Sequence, residues 1–412
     1  MIHPGRITPP LLVVAVLCAC AIPRIFFASP APSEVRALWV TRSSLASPEA
    51  IARLVSSASA NGFNTLFVQV RGRGDAYFNR GVELRAASLA TQSDDFDPLD
   101  ETLARAREAG LRVHAWVNVN LVSSALELPS SRDHVIYKHP EWLMVPRELA
   151  PELLTIDARS PEYLGRLARW TRANSETVEG LYVSPIHAAA HDRLAEIVSD
   201  LVTRYAVDGL HLDYIRYPSP AFDYSRDSLH AFEADVAPQL AAAERARVAG
   251  LEEIDPYAWP EAFPEKWRLF RQSRLTALVA RLHSTAARAR RGILVSAAVL
   301  PDANAALSEQ LQDWRTWTDS GFLDALCPMA YTTDAGVFEA QIAAVRALAG
   351  FKPVWAGIGA YRLSSGETVN NISIARRLGV NGVILFSYDS MVSPPNGPDY
   401  LAAVGKAAFA GS

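Results

Sequence analysis

The residues whose types and spacing most directly indicate chemistry lie in segment 208–218, which reads DGLHLDYIRYP. If this segment is a β-strand, successive side chains point to opposite faces. His211 and Asp213 then share one face, and Leu210 and Leu212 share the other. A buried carboxylate needs a partner or a function. We therefore expect Asp213 to have a catalytic role, as a nucleophile or as a carboxylate that stabilises the charge of a transition state.

Charged side chains follow a second apolar segment, TLFVQV. Gln69, Arg71 and Arg73 share one face if this segment is also a strand, and Asp75 lies in the turn beyond it. A guanidinium group beside Asp213 would keep that carboxylate ionised, as a nucleophile must be. We expect Gln69, Arg71 and Asp75 to contact the substrate.

Segment 208–218, the fourth strand segment along the chain, supplies two further predicted substrate contacts, His211 and Arg216. His211, together with Arg71 and Asp75, is expected to hold and polarise the site. An alternative interpretation makes Asp213 the partner of Arg216 or Arg71 in an ion pair that only organises the fold.

A third strand segment, residues 112–119, aligns His114, Trp116 and Asn118 on one face. The Asn118 amide could bind a sugar hydroxyl and the Trp116 ring could stack on a sugar. His114 is either an internal, hydrogen-bonded histidine or a ligand contact. Tyr331, at the end of another strand segment, joins the predicted substrate contacts.

A second carboxyl group is needed if the reaction is glycoside hydrolysis. Asp334, Asp389 and Asp302 each follow an apolar strand segment, and we predict Asp334 as the first candidate for the proton donor. Because aspartate after a strand is also a common helix N-cap, each carboxylate has a structural alternative.

Other chemistries have weaker signals. The chain has no His-Glu-x-x-His zinc motif and no Gly-x-Ser-x-Gly nucleophile elbow. A single metal held by His114, His211 and Asp213 is the remaining metal-hydrolase alternative. We otherwise predict neither a metal nor a cofactor.

These residues must be positioned by a unit that recurs along the chain: a helix, a glycine-bearing turn and a short apolar strand. Eight strand segments are apolar nearly throughout, as strands of a parallel sheet covered on both faces are. They predict a (β/α)₈ TIM barrel with long loops after strands 3 and 4, at about residues 120–207 and 218–291. A doubly wound open sheet is the alternative. We expect residues 34–412 to form this single barrel.

The N-terminal residues 1–33 are predicted to be a signal peptide and linker. An apolar run of about a dozen residues suits a secretory signal, and the LCAC sequence resembles a lipobox in which Cys20 would be lipidated. We expect an extracytoplasmic protein, periplasmic or secreted, with possible membrane attachment through Cys20. The 40 Lys and Arg residues against 44 Asp and Glu residues argue against nucleic acid as a partner.

Several of these segments together resemble the "glycosyl hydrolase-like 10" family of secreted and lipoprotein (β/α)₈ proteins. The matching segments include VRALWVT, QVRGRGDAY, HAWVN, HPEW, DGLHLDYIRYP and PMAYT. The resemblance implies a glycosidase-like barrel that acts on a polysaccharide outside the cytoplasm, bacterial cell-wall glycan among the candidates. The chain departs from the family pattern after Asn118, where Val119 replaces the usual proline, and at Val183-Ser184-Pro185.

The residues and the resemblance together predict a glycoside hydrolase that cleaves O-glycosidic bonds and has a glycan as its partner. Two alternatives stay open: a catalytically inactive carbohydrate-binding barrel and the metal-dependent hydrolase.

Overall fold

The computed structural model describes Met1, residues 34–252 and residues 254–410. The predicted signal segment and Cys20 lie outside the described residues. Within the described part of the chain, no helix has both the length and the apolar character needed to cross a bilayer.

Eight parallel strands close into a barrel in which each strand pairs with the next and β1 pairs with β8. The strands are β1 (Val35–Val40), β2 (Thr65–Arg71), β3 (Arg112–Asn118), β4 (Gly209–Asp213), β5 (Leu294–Val299), β6 (Ala325–Ala330), β7 (Trp355–Ile358) and β8 (Gly382–Phe386). Closure confirms the predicted (β/α)₈ barrel and excludes the doubly wound open sheet.

Helices surround the barrel and fill its long connections. They are α1 (Pro48–Ala60), α2 (Pro98–Glu108), α3 (Val135–Lys138), α4 (Ala150–Leu153), α5 (Pro161–Ala173), α6 (Ala188–Arg204), α7 (Arg226–Val236), α8 (Ala242–Glu252), α9 (Ala258–Ala262), α10 (Pro264–Ala289), α11 (Ala303–Gln310), α12 (Trp314–Asp319), α13 (Ala335–Leu348), α14 (Ser365–Arg377), α15 (Tyr388–Val392) and α16 (Pro398–Ala408). Short 3₁₀ turns occupy Arg42–Leu45, Ala87–Leu89, Pro140–Trp142, Ala237–Gln239 and Ala360–Arg362.

The first helix shows how local sequence sets these boundaries. The Ser47 hydroxyl accepts a hydrogen bond from the Ala50 amide, and Pro48 occupies the first helical position, where its missing N–H costs nothing. After the helix, Gly62 adopts φ +76°, a left-handed conformation that glycine reaches without strain.

Two separate apolar layers follow from the alternation of side chains along each strand. In β1, Ala37 and Trp39 point into the barrel, where they pack with Phe67 and other interior residues. Leu38 and Val40 point outward and pack against the helices. The barrel interior is therefore a filled core, as in other (β/α)₈ barrels.

The connections after β3 and β4 build a second hydrophobic cluster of their own. It includes Phe232 on α7, Trp259 on α9, and Trp267 and Phe270 on α10. Because both connections start where strands end, this cluster belongs to the side of the barrel that carries catalytic groups in this architecture. The two long loops are thus present as predicted.

Candidate active site

Strand β4 brings Asp213 to the mouth of the barrel. Leu210 and Leu212 are fully buried against the helices, so His211 and Asp213 point inward as the alternation predicts. Tyr214, the next residue, has φ 51°. Its amide donates to Asp213 Oδ1 at 2.6 Å, which fixes the orientation of the carboxylate.

Arg216 joins Asp213 to a second carboxylate, that of Glu179. The guanidinium Nη1 lies 3.5 Å from Asp213 Oδ1, and Nη2 lies 3.6 Å from Glu179 Oε1. Since one planar guanidinium reaches both, the two oxygens lie within about 10 Å of each other. The Tyr182 hydroxyl also donates to Glu179 Oε2, at 2.7 Å.

The two carboxylates differ in their exposure to water. Asp213 is only 6% exposed, whereas half of the Glu179 side chain is accessible. Burial raises the pKa of Asp213, against the opposing effects of the Arg216 charge and the Tyr214 amide. Asp213 is thus biased toward its protonated form and Glu179 is open to solvent.

An aromatic wall surrounds these groups in a cavity of about 620 Å³. Tyr331 stacks on Phe386 with ring centroids 5.4 Å apart. Each of these rings packs edge-to-face with Trp39, with ring centroids 6.2 Å apart. Trp116 also lines the cavity, and its buried indole N–H has no hydrogen-bond partner within the standard distance among the described residues. The indole N–H is nevertheless close enough to Asp213 to lower the pKa of that carboxyl, against the effect of burial. Apolar aromatic rings suit the face of a sugar.

Polar side chains from β2 and β3 line the same cavity. Gln69 and Asn118 both face it, and Gln69 Nε2 lies 3.5 Å from Asn118 Oδ1. Asn118 Nδ2 donates to the Gly72 carbonyl at 2.8 Å. The structure therefore brings Gln69, Trp116, Asn118, Arg216 and Tyr331 together with Asp213, as the predicted substrate contacts require.

Arg71 and Asp75 are not beside Asp213, which corrects the expectation that they polarise it. The Arg71 Nε atom lies 2.6 Å from Glu83 Oε2, and its Nη1 bonds the backbone carbonyls of residues 118 and 119. The register between β2 and β3 shifts between Gln69 and Arg71, so the simple alternation fails there. Asp75 accepts from the Arg73 amide and lines a neighbouring cavity.

The two inward histidines lie beneath the cavity and not in its lining. His114 packs against Phe67 and Trp355, with ring centroids 4.6 and 5.7 Å away. His211 is fully buried, accepts from the Trp39 indole at 3.0 Å and contacts Ser296 Oγ at 3.0 Å. Both predicted substrate contacts are therefore internal residues, because the aromatic layer closes over them.

The three proposed proton donors are used elsewhere, which corrects their assignment. Asp334 caps α13 by accepting from the Gly336 and Val337 amides, and Asp302 caps α11 in the same way. Asp389 accepts from the loop after β1, including the Thr41 amide at 2.8 Å. None of the three lines the cavity that holds Asp213.

Sequence reasoning missed Glu179, Arg42 and Arg73 as residues of this cavity. Glu179 lies in a polar loop far before β4, and its spacing from Asp213 carries no periodic signal. Alternation along β2 places Arg73 on the face of Gln69 but gives it no role. Proximity in the fold, and not local pattern, assembles these three with Asp213.

The metal alternative built on His114, His211 and Asp213 is not formed. Both ring nitrogens of His211 are engaged, one by Trp39 and one by Ser296. Across residues 34–252 and 254–410, no group of three or more His, Cys, Asp or Glu side chains is arranged to hold a metal ion.

The protein-family model "Glycosyl hydrolase-like 10" matches residues 34–358, most of the described chain. The chain belongs to the glycosyl hydrolase-like 10 family. The match confirms the predicted resemblance. It includes every cavity residue named above except Phe386.

Curated relatives of this family member are distant. Glycosyl hydrolase DigH of Escherichia coli (strain K12) is 23% identical over 299 residues, covering 66% of this chain and 55% of that protein. An S-layer-related protein of Niallia circulans is 22% identical over 209 residues, covering 48% of this chain and 12% of that protein. The chain therefore spans about half of DigH and a small part of the S-layer-related protein.

Solved structures share the fold of this family member at low identity. The PgaB (BpsB) glycoside hydrolase domain from Bordetella bronchiseptica superimposes with a TM-score of 0.61 at 16% identity, covering 90% of this chain and 99% of that one. A β-galactosidase from Bacillus circulans sp. alkalophilus gives 0.61 at 13% identity, covering 91% and 56%. At these identities the similarity concerns the barrel fold alone.

Proposed function

We propose that this protein hydrolyses O-glycosidic bonds of an extracytoplasmic polysaccharide. The observation that carries the proposal is the pair of carboxylates, Asp213 and Glu179, which share the Arg216 guanidinium inside an aromatic cavity at the mouth of the barrel. Glycoside hydrolysis needs two carboxyl groups about 5–9.5 Å apart, and the shared guanidinium keeps the nearest oxygens of these two within about 10 Å.

The different environments of the two carboxyls suggest different roles. Asp213, whose pKa is raised by burial, donates its proton to the glycosidic oxygen as the bond to the anomeric carbon breaks. Glu179, with access to solvent, takes a proton from the water that attacks that carbon. This replaces the prediction of Asp213 as nucleophile, because burial favours its neutral form.

The aromatic wall supports a sugar as the substrate. Trp39, Trp116 and Tyr331 offer ring faces and edges, while Gln69 and Asn118 offer amide groups for hydroxyls. The cavity also adjoins a second one, of about 460 Å³, through Arg73, which lines both. A substrate longer than one sugar ring fits this arrangement.

The location and the polymer are also proposals. The N-terminal signal pattern favours export, and lipidation of Cys20 would attach the protein to a membrane. Bacterial cell-wall glycan is our first candidate for the substrate. The name of one similar protein, a glycosyl hydrolase, agrees with the activity, and that of another, an S-layer-related protein, agrees with a location at the cell envelope.

The test is incubation of the exported form with purified glycans, cell-wall strands included, followed by mass spectrometry of the products. We expect shorter oligosaccharides whose new ends carry one added water, and no such products from the Asp213→Asn variant. If neither protein yields products while both bind glycan with equal affinity, the inactive carbohydrate-binding barrel is the correct interpretation.

A further inference from the structure

Two arginines line the proposed active-site cavity, and neither forms an ion pair with a described residue. Arg42 follows β1 and Arg73 follows β2, and both face the space that contains Asp213. Among the described residues no carboxylate oxygen lies within 4.0 Å of either guanidinium. Arg216, by contrast, faces both Asp213 and Glu179. The cavity thus has cationic groups beyond those that its own carboxylates neutralise.

The acidic residues that contact the loops around Arg42 and Arg73 have other partners. All three donors to Asp389 come from the loop around Arg42: the Thr41 amide and the hydroxyls of Ser43 and Ser44. Asp75 accepts from the backbone of Arg73, and faces the adjacent cavity. These carboxylates organise the loops that carry the two arginines and do not pair with them.

The guanidinium of Arg42 is held in place by the β2 loop. A methyl group built at Gly72 would lie 2.4 Å from Arg42 Nη1, so this guanidinium rests directly on the glycine backbone. Arg42 Nη1 also donates to Gln69 Oε1 at 3.3 Å. A side chain at position 72 would displace the Arg42 guanidinium from this position, so glycine allows the charge to rest there before substrate arrives.

The two charges also affect each other. Burial, the larger cause, and the charge of Arg42 lower the pKa of Arg73, and the charges of Asp75 and Glu127 oppose this only in part. Partly desolvated like charges that face one cavity are unfavourable until an anion joins them. A carboxylate bound between two guanidinium groups would gain charge-assisted hydrogen bonds with both.

We propose that the substrate is an acidic glycan and that Arg42 and Arg73 bind a carboxylate on the sugar next to the cleaved bond. This inference rests on the proposed function, since it names the substrate class of the same cavity. The shared chemistry is a sugar carboxylate, which a uronic acid carries on its ring and which N-acetylmuramic acid carries on its ether side chain.

Binding to Asp213→Asn, measured by calorimetry, tests this without turnover. One probe is a tetrasaccharide of alternating N-acetylglucosamine and N-acetylmuramic acid, and the other is a galacturonate tetrasaccharide, each compared with its carboxyl-reduced form. We expect at least one acidic probe to bind tenfold or more tightly than its reduced form. The probe that shows this preference identifies the source of the carboxylate.

The preference for the acidic probe should fall below twofold when Arg42→Gln and Arg73→Gln are added to Asp213→Asn. It should remain when Arg377→Gln is added instead, because Arg377 is an exposed residue on α14, away from the cavity. Thermal unfolding checks that each variant is folded, and Arg42→Lys with Arg73→Lys, which keeps the charges, should retain part of the preference. Equal binding of acidic and reduced forms in both pairs overturns the inference. Selective binding without hydrolysis by the wild type would instead overturn the proposed function.

Discussion

The indole N–H of Trp39 donates a hydrogen bond to Nε2 of His211 at 3.0 Å. Nε2 must then be the acceptor nitrogen, so the proton of the neutral ring is on Nδ1, which faces Ser296 Oγ at 3.0 Å. Burial lowers the pKa of His211 well below its usual range and keeps the ring neutral. His211 is therefore a positioning residue that orients an aromatic ring of the active-site wall.

Replacing His211 with phenylalanine tests this role. The variant leaves the Trp39 N–H without its acceptor, and we expect a loss of about 1–3 kcal/mol in the free energy of unfolding. Because Trp39 lines the cavity, we also expect KM to rise more than kcat falls. Denaturant unfolding and steady-state kinetics measure both, and His230→Phe, at an exposed site on α7, is the control. An unchanged KM would contradict the positioning role.

The Asp213→Asn variant tests the proton donor. Loss of general acid catalysis should lower kcat on a natural glycan by about 10²–10⁴-fold. A dinitrophenyl glycoside of the same sugar has a leaving group that needs no proton, so Asp213→Asn should cleave it nearly as fast as the wild type. Equal losses on both substrates would instead support the nucleophile role.

The pH dependence of the wild type gives an independent check of Asp213. Its protonated form is the active one in this mechanism, and burial raises its pKa. The kcat/KM of the wild type on the natural glycan should therefore fall as pH rises through that pKa. A limb that instead rises with pH across this range would count against Asp213 as the acid.

Glu179→Ala tests the base, in parallel with Glu176→Ala in the same loop. We expect the first substitution to lower kcat by about 10²–10⁴-fold and the second, at an exposed site outside the cavity, to have little effect. Azide should restore turnover by the Glu179→Ala variant, because a small anion can occupy the space of the missing carboxylate. The glycosyl azide is identified by mass spectrometry. Full activity of Glu179→Ala would remove Glu179 from the mechanism.

The buried His114 side chain is expected to make the stability of the folded protein depend on pH. Burial lowers its pKa from 6.5 to about 3. The unfolded chain therefore binds a proton between about pH 6.5 and pH 3 that the folded protein does not, and His114 alone removes up to about 1.4 kcal/mol of stability per pH unit as pH falls through this window.

Replacement of His114 by phenylalanine should reduce this loss. The His114 Nδ1 atom has no hydrogen-bond partner among the described residues, and its ring packs on Phe67 and Trp355, so an apolar ring suits the site. We expect a smaller decrease in the free energy of unfolding between pH 7 and pH 5 for His114→Phe than for the wild type, measured by urea unfolding. Parallel curves for the two proteins would refute the assignment.

Local sequence pattern was sufficient for the barrel and for the inward direction of Asp213. Apolar segments that repeat with helices between them predict parallel strands, and alternation along β4 separates His211 and Asp213 from Leu210 and Leu212. The same alternation placed Gln69, Trp116 and Asn118 at the cavity. These features depend only on neighbouring residues, which is why they can be read from the chain.

Tertiary structure alone decided which second carboxylate lies near Asp213 and what the other aspartates do. The register shift in β2 turns Arg71 toward Glu83, and Asp302 and Asp334 satisfy helix amides that would otherwise lack acceptors. Glu179 meets Arg216 only because the long connection after β3 returns to the mouth of the barrel. Charge pairing acts through space, and the distance between two side chains is a property of the folded chain and not of their separation in sequence.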